Sequence, residues 1–579
     1  MEPITFAGCF GWLHDGDGDV GVVLCGGLGT YAQNGHVPLR NLARRLAQAG
    51  YPTLRFDYAS TGDSCDASET DLPAAWLASV HAAADWLRTS AGVERIVLCG
   101  LHLGATLAVL AALERDDVHA LVLMAPVVSG RRYVHELSLA AELNRDAPEQ
   151  EEGWLESDGL RLPDNTLRSL RRLNLLAIPS RPASRVLVLD SSASSLVSDL
   201  AAHMRTVGAD ITRGSLGQLI EFDDNGHAAP QVELDYVLEW LGTVGARNRG
   251  LPPARPSRAC DHGLRAEEWV EQPLTFGPAN ELFGLLCRPA EASRSDFVLL
   301  LGNSGVGPHH GYARFHVQLA RRLAASGIAS MRIDFAGLGD SLPVPDDAAS
   351  HVYETDRSPD FAAAVDVLWR MGYRRFAVAG HCSGAYHAFN FSLSDPRVSA
   401  LLMLNLTTFT WQKGQSFGRF LQDNKRSTRS YVAVLRRKGG WQRLLRGELN
   451  VGRALWTLQG RAQQRLALTA GRLARRVGVR AAPATPLQAM RTLAARGVRI
   501  LLLVGTGDAG LDTVSAHLGP DGRHLAALSG AQILLLPGLD HLISRRQMQE
   551  AAMEGVIDFL SKSIFREVPT HASRRVAAE

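Results

Sequence analysis

The stretch Gly380-His381-Cys382-Ser383-Gly384 sets a thiol midway between two glycines. A strand that turns sharply into a helix needs small residues on either side of the turn, and the side chain at the apex is then presented outward. A cysteine at that apex is a candidate nucleophile. Its thiolate can attack a carbonyl if a base takes the proton, a second group orients the base, and N–H donors receive the oxygen that gains charge. Ser383 is turned aside by the same geometry, so its backbone N–H, heading the helix, is the useful group. The spacing recurs at 100–104, Gly100-Leu101-His102-Leu103-Gly104, with an imidazole at the apex.

The recurrence extends further. L-A-R-R-L-A at 42–47 returns at 319–324, and R-F-D-Y-A-S-T-G-D-S at 55–64 returns as R-I-D-F-A-G-L-G-D-S at 332–341, both displaced by the same interval. Each half reads as short apolar runs of strand length (20–24, 52–58 and 120–124; 297–301, 329–335 and 400–404) alternating with amphipathic helices (74–88; 361–371). That alternation predicts an α/β fold in which a mostly parallel sheet is flanked by helices, built twice in tandem. The expected units are 1–245 and 263–565, joined by a linker at 246–262 rich in proline, glycine and arginine, with a polar tail at 566–579.

The two elbows and the repeated R-[FI]-D-[YF]-A-x-x-G-D-S segments resemble the α/β-hydrolase superfamily, in particular its serine-aminopeptidase-like branch of esterases, thioesterases and peptidases. Cys382 stands where most members carry serine. Cysteine elbows look like those of dienelactone hydrolases and polyhydroxyalkanoate synthases. The resemblance implies that nucleophile, acid and histidine follow in that order, the last two on loops after late strands. Asp508 follows the apolar run 499–504, and His541 follows the run 532–536. Asp512 and Asp540 are the alternative acids. The oxyanion donors implied are the backbone N–H groups of Ser383 and Ser304, with Asn303 next to Ser304 as the substitute.

In the first half the apex holds His102, the histidine loop keeps His227, and Ser194 aligns with Asp508 while Asp190 falls four residues early. Two histidines with no orienting acid do not make a triad. A metal shared by His102 and His227 would need further ligands, and none cluster in sequence, so no metal is expected. The first domain is expected to be catalytically degenerate.

The chain has 579 residues and a net charge of +2, but the charge is unevenly placed. From Lys413 to Arg499 there are twenty Lys/Arg and two acids, a local balance of +18 that leaves the remainder at −16. A helical cap at about 406–490, over the mouth of the second-domain site, is the expected home of that charge, and its partner an acidic one: an acyl carrier protein or a coenzyme A thioester. No nucleic-acid motif accompanies it. The seven cysteines are scattered without C-x-x-C pairs, and no apolar run reaches membrane-spanning length, which fits a reduced, cytoplasmic setting. These features predict an acyl-transfer enzyme, hydrolase or acyltransferase, without a cofactor. The alternative is a non-catalytic binding or scaffold protein made of two degenerate hydrolase domains.

Overall fold

The computed structural model describes residues 1–68, 71–143, 150–190, 194–216, 231–245, 263–291, 295–343, 352–412, 414–415, 420 and 485–565. His227, the linker, the tail and most of the expected cap lie outside them.

Two large sheets form. The first contains β1 (Glu2–Phe6), β2 (Cys9–His14), β3 (Val20–Cys25), β4 (Thr53–Phe56), β5 (Arg95–Leu101), β6 (Val118–Met124), β9 (Arg185–Asp190) and β10 (Asp210–Ser215), in the order β1-β2-β4-β3-β5-β6-β9-β10. A separate hairpin pairs β7 (Trp154–Ser157) with β8 (Leu160–Pro163). The second sheet contains β11 (Leu264–Arg265), β12 (Trp269–Phe276), β13 (Leu282–Pro289), β14 (Phe297–Gly302), β15 (Ala329–Asp334), β16 (Arg375–His381), β17 (Val398–Leu404), β18 (Arg499–Gly505) and β19 (Ala531–Leu536). Its order is β11-β12-β13-β15-β14-β16-β17-β18-β19.

From β2 and β13 onward the two orders coincide strand for strand, and every pairing after the leading antiparallel strands is parallel. Central strands such as Val20–Cys25 and Phe297–Gly302 are buried at every position, as a sheet covered on both faces requires. The leading hairpins were not expected from sequence. Residues 2–14 mix proline, glycine and polar side chains, so no periodic run marks them.

The repeated R-x-D segments lie where the halves meet. Within each, an aspartate folds its own loop: the Asp57 carboxylate accepts the Asp63 N–H (2.9 Å) and the Asp334 carboxylate accepts the Asp340 N–H (2.8 Å). The intervening glycines, Gly62 and Gly339, have φ of 45° and 47°. A Cβ there would come within 2.0 Å of the Asp57 carboxylate and 2.1 Å of that of Asp334, so both the conformation and the space demand glycine. The closing aspartate of each segment then meets the arginine of the other. Arg55 Nη2 donates to Asp340 Oδ1 (2.7 Å), and Arg332 Nη2 donates to Asp63 Oδ1 (3.0 Å). Glu271 adds a second carboxylate to Arg332 (2.7 Å) and binds Arg321 (2.8 Å). Phe10, Trp12, Leu264, Phe283 and Leu285 pack as one apolar cluster beside this network.

His309 sits at its centre, fully buried, with Nε2 2.6 Å from Asp63 and Nδ1 2.7 Å from Asp334. Burial alone would lower its pKa, but the two carboxylates hold it well above the ordinary imidazole range. Atoms of His309 and its neighbouring acids lie close enough together for a cation to be considered, within 4.8 Å of one another. Both ring nitrogens, however, are taken by carboxylates, and the Arg332 guanidinium already neutralises Asp63.

This network makes stability depend on pH from both sides. Burial would raise the carboxyl groups of Asp63 and Asp340, but the surrounding cations hold them well below the ordinary range, so their contribution is lost as pH falls through their folded values. His309 has the opposite sign: its contribution is complete below its unfolded value and is lost as pH rises through its raised folded value. Thermal unfolding should therefore show a stability plateau that falls away below about pH 4, near the ordinary carboxylate values, and again on the alkaline side. His309→Gln should remove the alkaline decline; an unchanged profile would contradict the assignment.

Candidate active site

The elbow forms as its glycines require. Strand β16 ends at His381, the helix Ser383–Ser394 begins at once, and Cys382 between them has φ 54° and ψ −115°. A Cβ on Gly380 would lie 2.1 Å from the Gly384 backbone, and one on Gly384 would lie 2.3 Å from the Asn303 carbonyl oxygen. The turn is thus packed tightly against the loop that follows β14. Cys382 is 8 % exposed at the apex.

The structure brings Asp508 and His541 to this apex. Asp508 follows β18, and its Oδ1 accepts the Gly510 N–H (2.7 Å), which leaves Oδ2 to face His541 Nδ1 at 2.7 Å. The two alternative acids are occupied differently. Asp540 caps its own loop by accepting the Ser544 N–H (2.8 Å), and Asp512 lies in the first turn of the helix Gly510–Leu518.

The His541 ring also shares a side-chain hydrogen bond with Cys382. Burial alone would push the thiol up, but the charge and hydrogen bond of His541, with hydrogen bonds from Thr407 and Tyr353, bring it below the ordinary thiol value. Burial would lower His541, but Cys382 and Asp508 hold it well above the ordinary imidazole range. Both directions favour a thiolate–imidazolium pair.

Ser304 and Ser383 flank the apex. Ser383 heads its helix, so its N–H has no acceptor within that helix. Its hydroxyl accepts the Gly305 N–H (2.8 Å), which ties the β14 loop to the helix start. Asn303 is absorbed by structure instead: its amide donates to Asp334 Oδ1 and the Gly307 carbonyl, and its oxygen accepts the Phe335 N–H.

Four supporting residues escaped the sequence reading. His381 Nε2 donates to the His541 carbonyl (2.5 Å), so in its neutral ring Nδ1 accepts from the Ser304 hydroxyl (3.0 Å). Burial and the nearby charge of His541 push His381 down to about 3, which keeps it neutral. Asn405 donates to the carbonyls of Asp540 and His541 and accepts the Gly505 N–H, joining the acid strand to the histidine loop. Thr407 and Tyr353 lie 3.5 and 3.8 Å from Cys382 Sγ. Only His381 carried a signal, its place beside the apex. The others lie far from the elbow in sequence.

The histidine loop is also held from outside its own half. Arg545 donates to the Glu156 carbonyl of the β7–β8 hairpin (2.7 Å), and the Arg546 N–H donates to the Glu156 carboxylate (3.3 Å).

In the first half, His102 has φ 54° and ψ −117°, matching Cys382. Its ring stacks on Tyr31 at 3.7 Å with a 4° tilt, and among the described residues its buried Nδ1 has no hydrogen-bond partner. Burial pushes it down to about 4, so it is neutral. Ser194 stands just before the helix Ser195–Thr206, and its side chain makes no capping bond. Among the described residues no helix is long and apolar enough to cross a membrane.

No curated protein matches the sequence. Among solved structures, the chain is similar to Est1E from Butyrivibrio proteoclasticus with ferulic acid bound, at 18 % identity and a TM-score of 0.31, over 42 % of this chain and 98 % of that one. It is also similar to a thermophilic, malate-bound esterase from Thermogutta terrifontis, at 15 % identity and a TM-score of 0.30, over 51 % and 99 %. The profile described as "Alpha/beta hydrolase family" matches residues 297–554, the segment that holds Cys382, Asp508 and His541, so the second half of the chain is similar to that family.

Proposed function

We propose that the chain is an acyl-transfer enzyme, an esterase, thioesterase or acyltransferase, whose second domain forms an acyl-cysteine. The observation that carries this reading is the hydrogen-bonded run Asp508–His541–Cys382, with the thiol depressed and the imidazole raised. In the first step Cys382 Sγ forms a bond to the carbonyl carbon of an ester or thioester, and the carbonyl electron pair moves onto oxygen. The Ser304 and Ser383 N–H groups receive that oxyanion. As the intermediate collapses, the bond to the leaving alcohol or thiol breaks and His541 supplies its proton. His541 then takes a proton from water or an acceptor alcohol, whose oxygen displaces Sγ. Asp508 holds the imidazole in the tautomer that both steps need.

The concentrated positive charge between Lys413 and Arg499 supports a donor carried on an acidic acyl carrier protein or on coenzyme A. In this reading the first half is a duplicated copy without turnover: its apex holds an imidazole, neutral and stacked on Tyr31, in place of the thiol.

Incubation with carrier-protein and coenzyme A thioesters followed by intact-mass measurement tests the proposal. An acyl adduct should accumulate on the wild type and be missing from Cys382→Ala. If no donor and no thiol-directed acyl probe labels Cys382 in folded protein, the chain is a binding or scaffold protein. His102→Ala should leave the steady-state rate within about twofold of the wild type. Loss of turnover with the circular dichroism spectrum unchanged would overturn the silent role of the first half.

A further inference from the structure

The two halves treat one slot differently. In the second half Asp334 is saturated with donors: the Asn303 amide (2.7 Å), the His309 N–H (2.8 Å), the His309 ring (2.7 Å) and the Asp340 N–H (2.8 Å). In the first half the matching carboxylate is Asp57. Among the described residues the one donor that reaches it is the Asp63 N–H.

The reason is local. Gly26 stands where the second half has Asn303, so the amide donor is missing. The segment after it also folds differently. The helix Thr30–Gln48 runs through the positions that in the second half form the loop ahead of the helix Phe315–Ala325, the loop that carries His309. What remains is a cavity of about 140 Å³ between the halves, well above the ~10–15 Å³ that admits one water. Asp57, Asp340, His36, Arg55, His310 and Arg314 line it. Asp340 is already bound by Arg55 and His36, whereas Asp57 is left facing the space. Counting Asp158 with the other two aspartates against the two arginines, the lining carries one net negative charge.

We propose that this interdomain cavity is a binding site for a small planar organic cation with paired N–H donors, an imidazolium, amidinium or guanidinium head group, held by Asp57. The chain supplies its own template: His309 fills the counterpart slot with an imidazole between the carboxylates of Asp63 and Asp334, and Asp340 and Asp57 are the equivalent pair. Burial and the charges of Asp63 and Asp340 raise Asp57 to about 6, as expected of a carboxylate short of donors. The site is separate from the acyl chemistry and does not depend on it.

Imidazole titrated into the full-length protein at pH 7, where Asp57 is mostly ionised and about half of the imidazole is protonated, followed by saturation-transfer NMR and thermal shift, is the test. The wild type should show saturable binding and a higher melting temperature. Asp57→Asn should weaken binding at least tenfold. Gly26→Asn should do the same by restoring the donor that the second half uses. Gly26 has ordinary backbone angles, and a Cβ there meets only Leu39 Cδ1 at 3.9 Å, so this variant is expected to fold even if Asp57→Asn does not. Gly26→Ala, which adds no donor, should bind like the wild type. Absence of saturable binding in the wild type, or binding that Gly26→Asn leaves unchanged, overturns the proposal.

Discussion

His541→Ala should lower kcat/KM on an acyl-thioester by roughly 10⁴-fold or more, the scale on which triads fail when the base is removed. The physical reason reaches beyond proton transfer. Cys382 is buried, and burial alone would keep it a thiol; the neighbouring imidazolium and its hydrogen bond reverse that balance. Without the imidazole the thiol should return above its ordinary value, because the desolvation cost is then opposed only by the hydrogen bonds of Thr407 and Tyr353. Alkylation of Cys382 by iodoacetamide as a function of pH measures this directly and needs no substrate. The wild type should react with an apparent pKa below that of a free thiol, and the variant with one above it. Equal profiles would show that His541 does not set the state of the sulfur, and the acyl-cysteine mechanism would lose its base.

Arg332→Met should destabilise the chain by about 3–5 kcal/mol, the cost of removing one cation from a buried charge network whose carboxylates outnumber what His309 and Arg321 can neutralise. Arg332 is fully buried and holds Asp63 of the first half and Glu271 of the second. Its removal leaves both carboxylates facing a thioether. Urea unfolding at neutral pH should show a lower midpoint, whereas Lys562→Met, which breaks only an exposed pair with Asp558, should stay within about 0.5 kcal/mol of the wild type. Adding Asp63→Asn to Arg332→Met should cost less than the sum of the two single changes, because the partners share one interaction. Additive losses would mean that the arginine acts through packing alone.

Periodicity and repetition made the fold legible. Runs such as 297–301 and 499–504 are apolar throughout because their strands are covered on both faces, and the repeated segments fixed the correspondence between halves. The catalytic candidates were legible because Cys382, Asp508 and His541 each lie at or just past the end of a strand, a position that sequence order preserves.

Two things were hidden. The side chains that steady His541, Asn405 and His381, act through backbone carbonyls, a contact with no residue-type signature. The repeated R-x-D segment read as a mark of family, but its charged groups face the other half. Pairing between distant segments is a property of docking, which neither period nor spacing encodes.

The docking of the β7–β8 hairpin on Arg545 and Arg546 has an evolutionary consequence. A duplicated copy that loses its nucleophile is ordinarily free to decay. Under the proposed function, the first half supplies the abutment for the loop bearing His541, so selection for turnover would reach residues such as Glu156 that lie outside the proposed catalytic set. The first half could thus carry an imidazole at its elbow and still be retained for its surface.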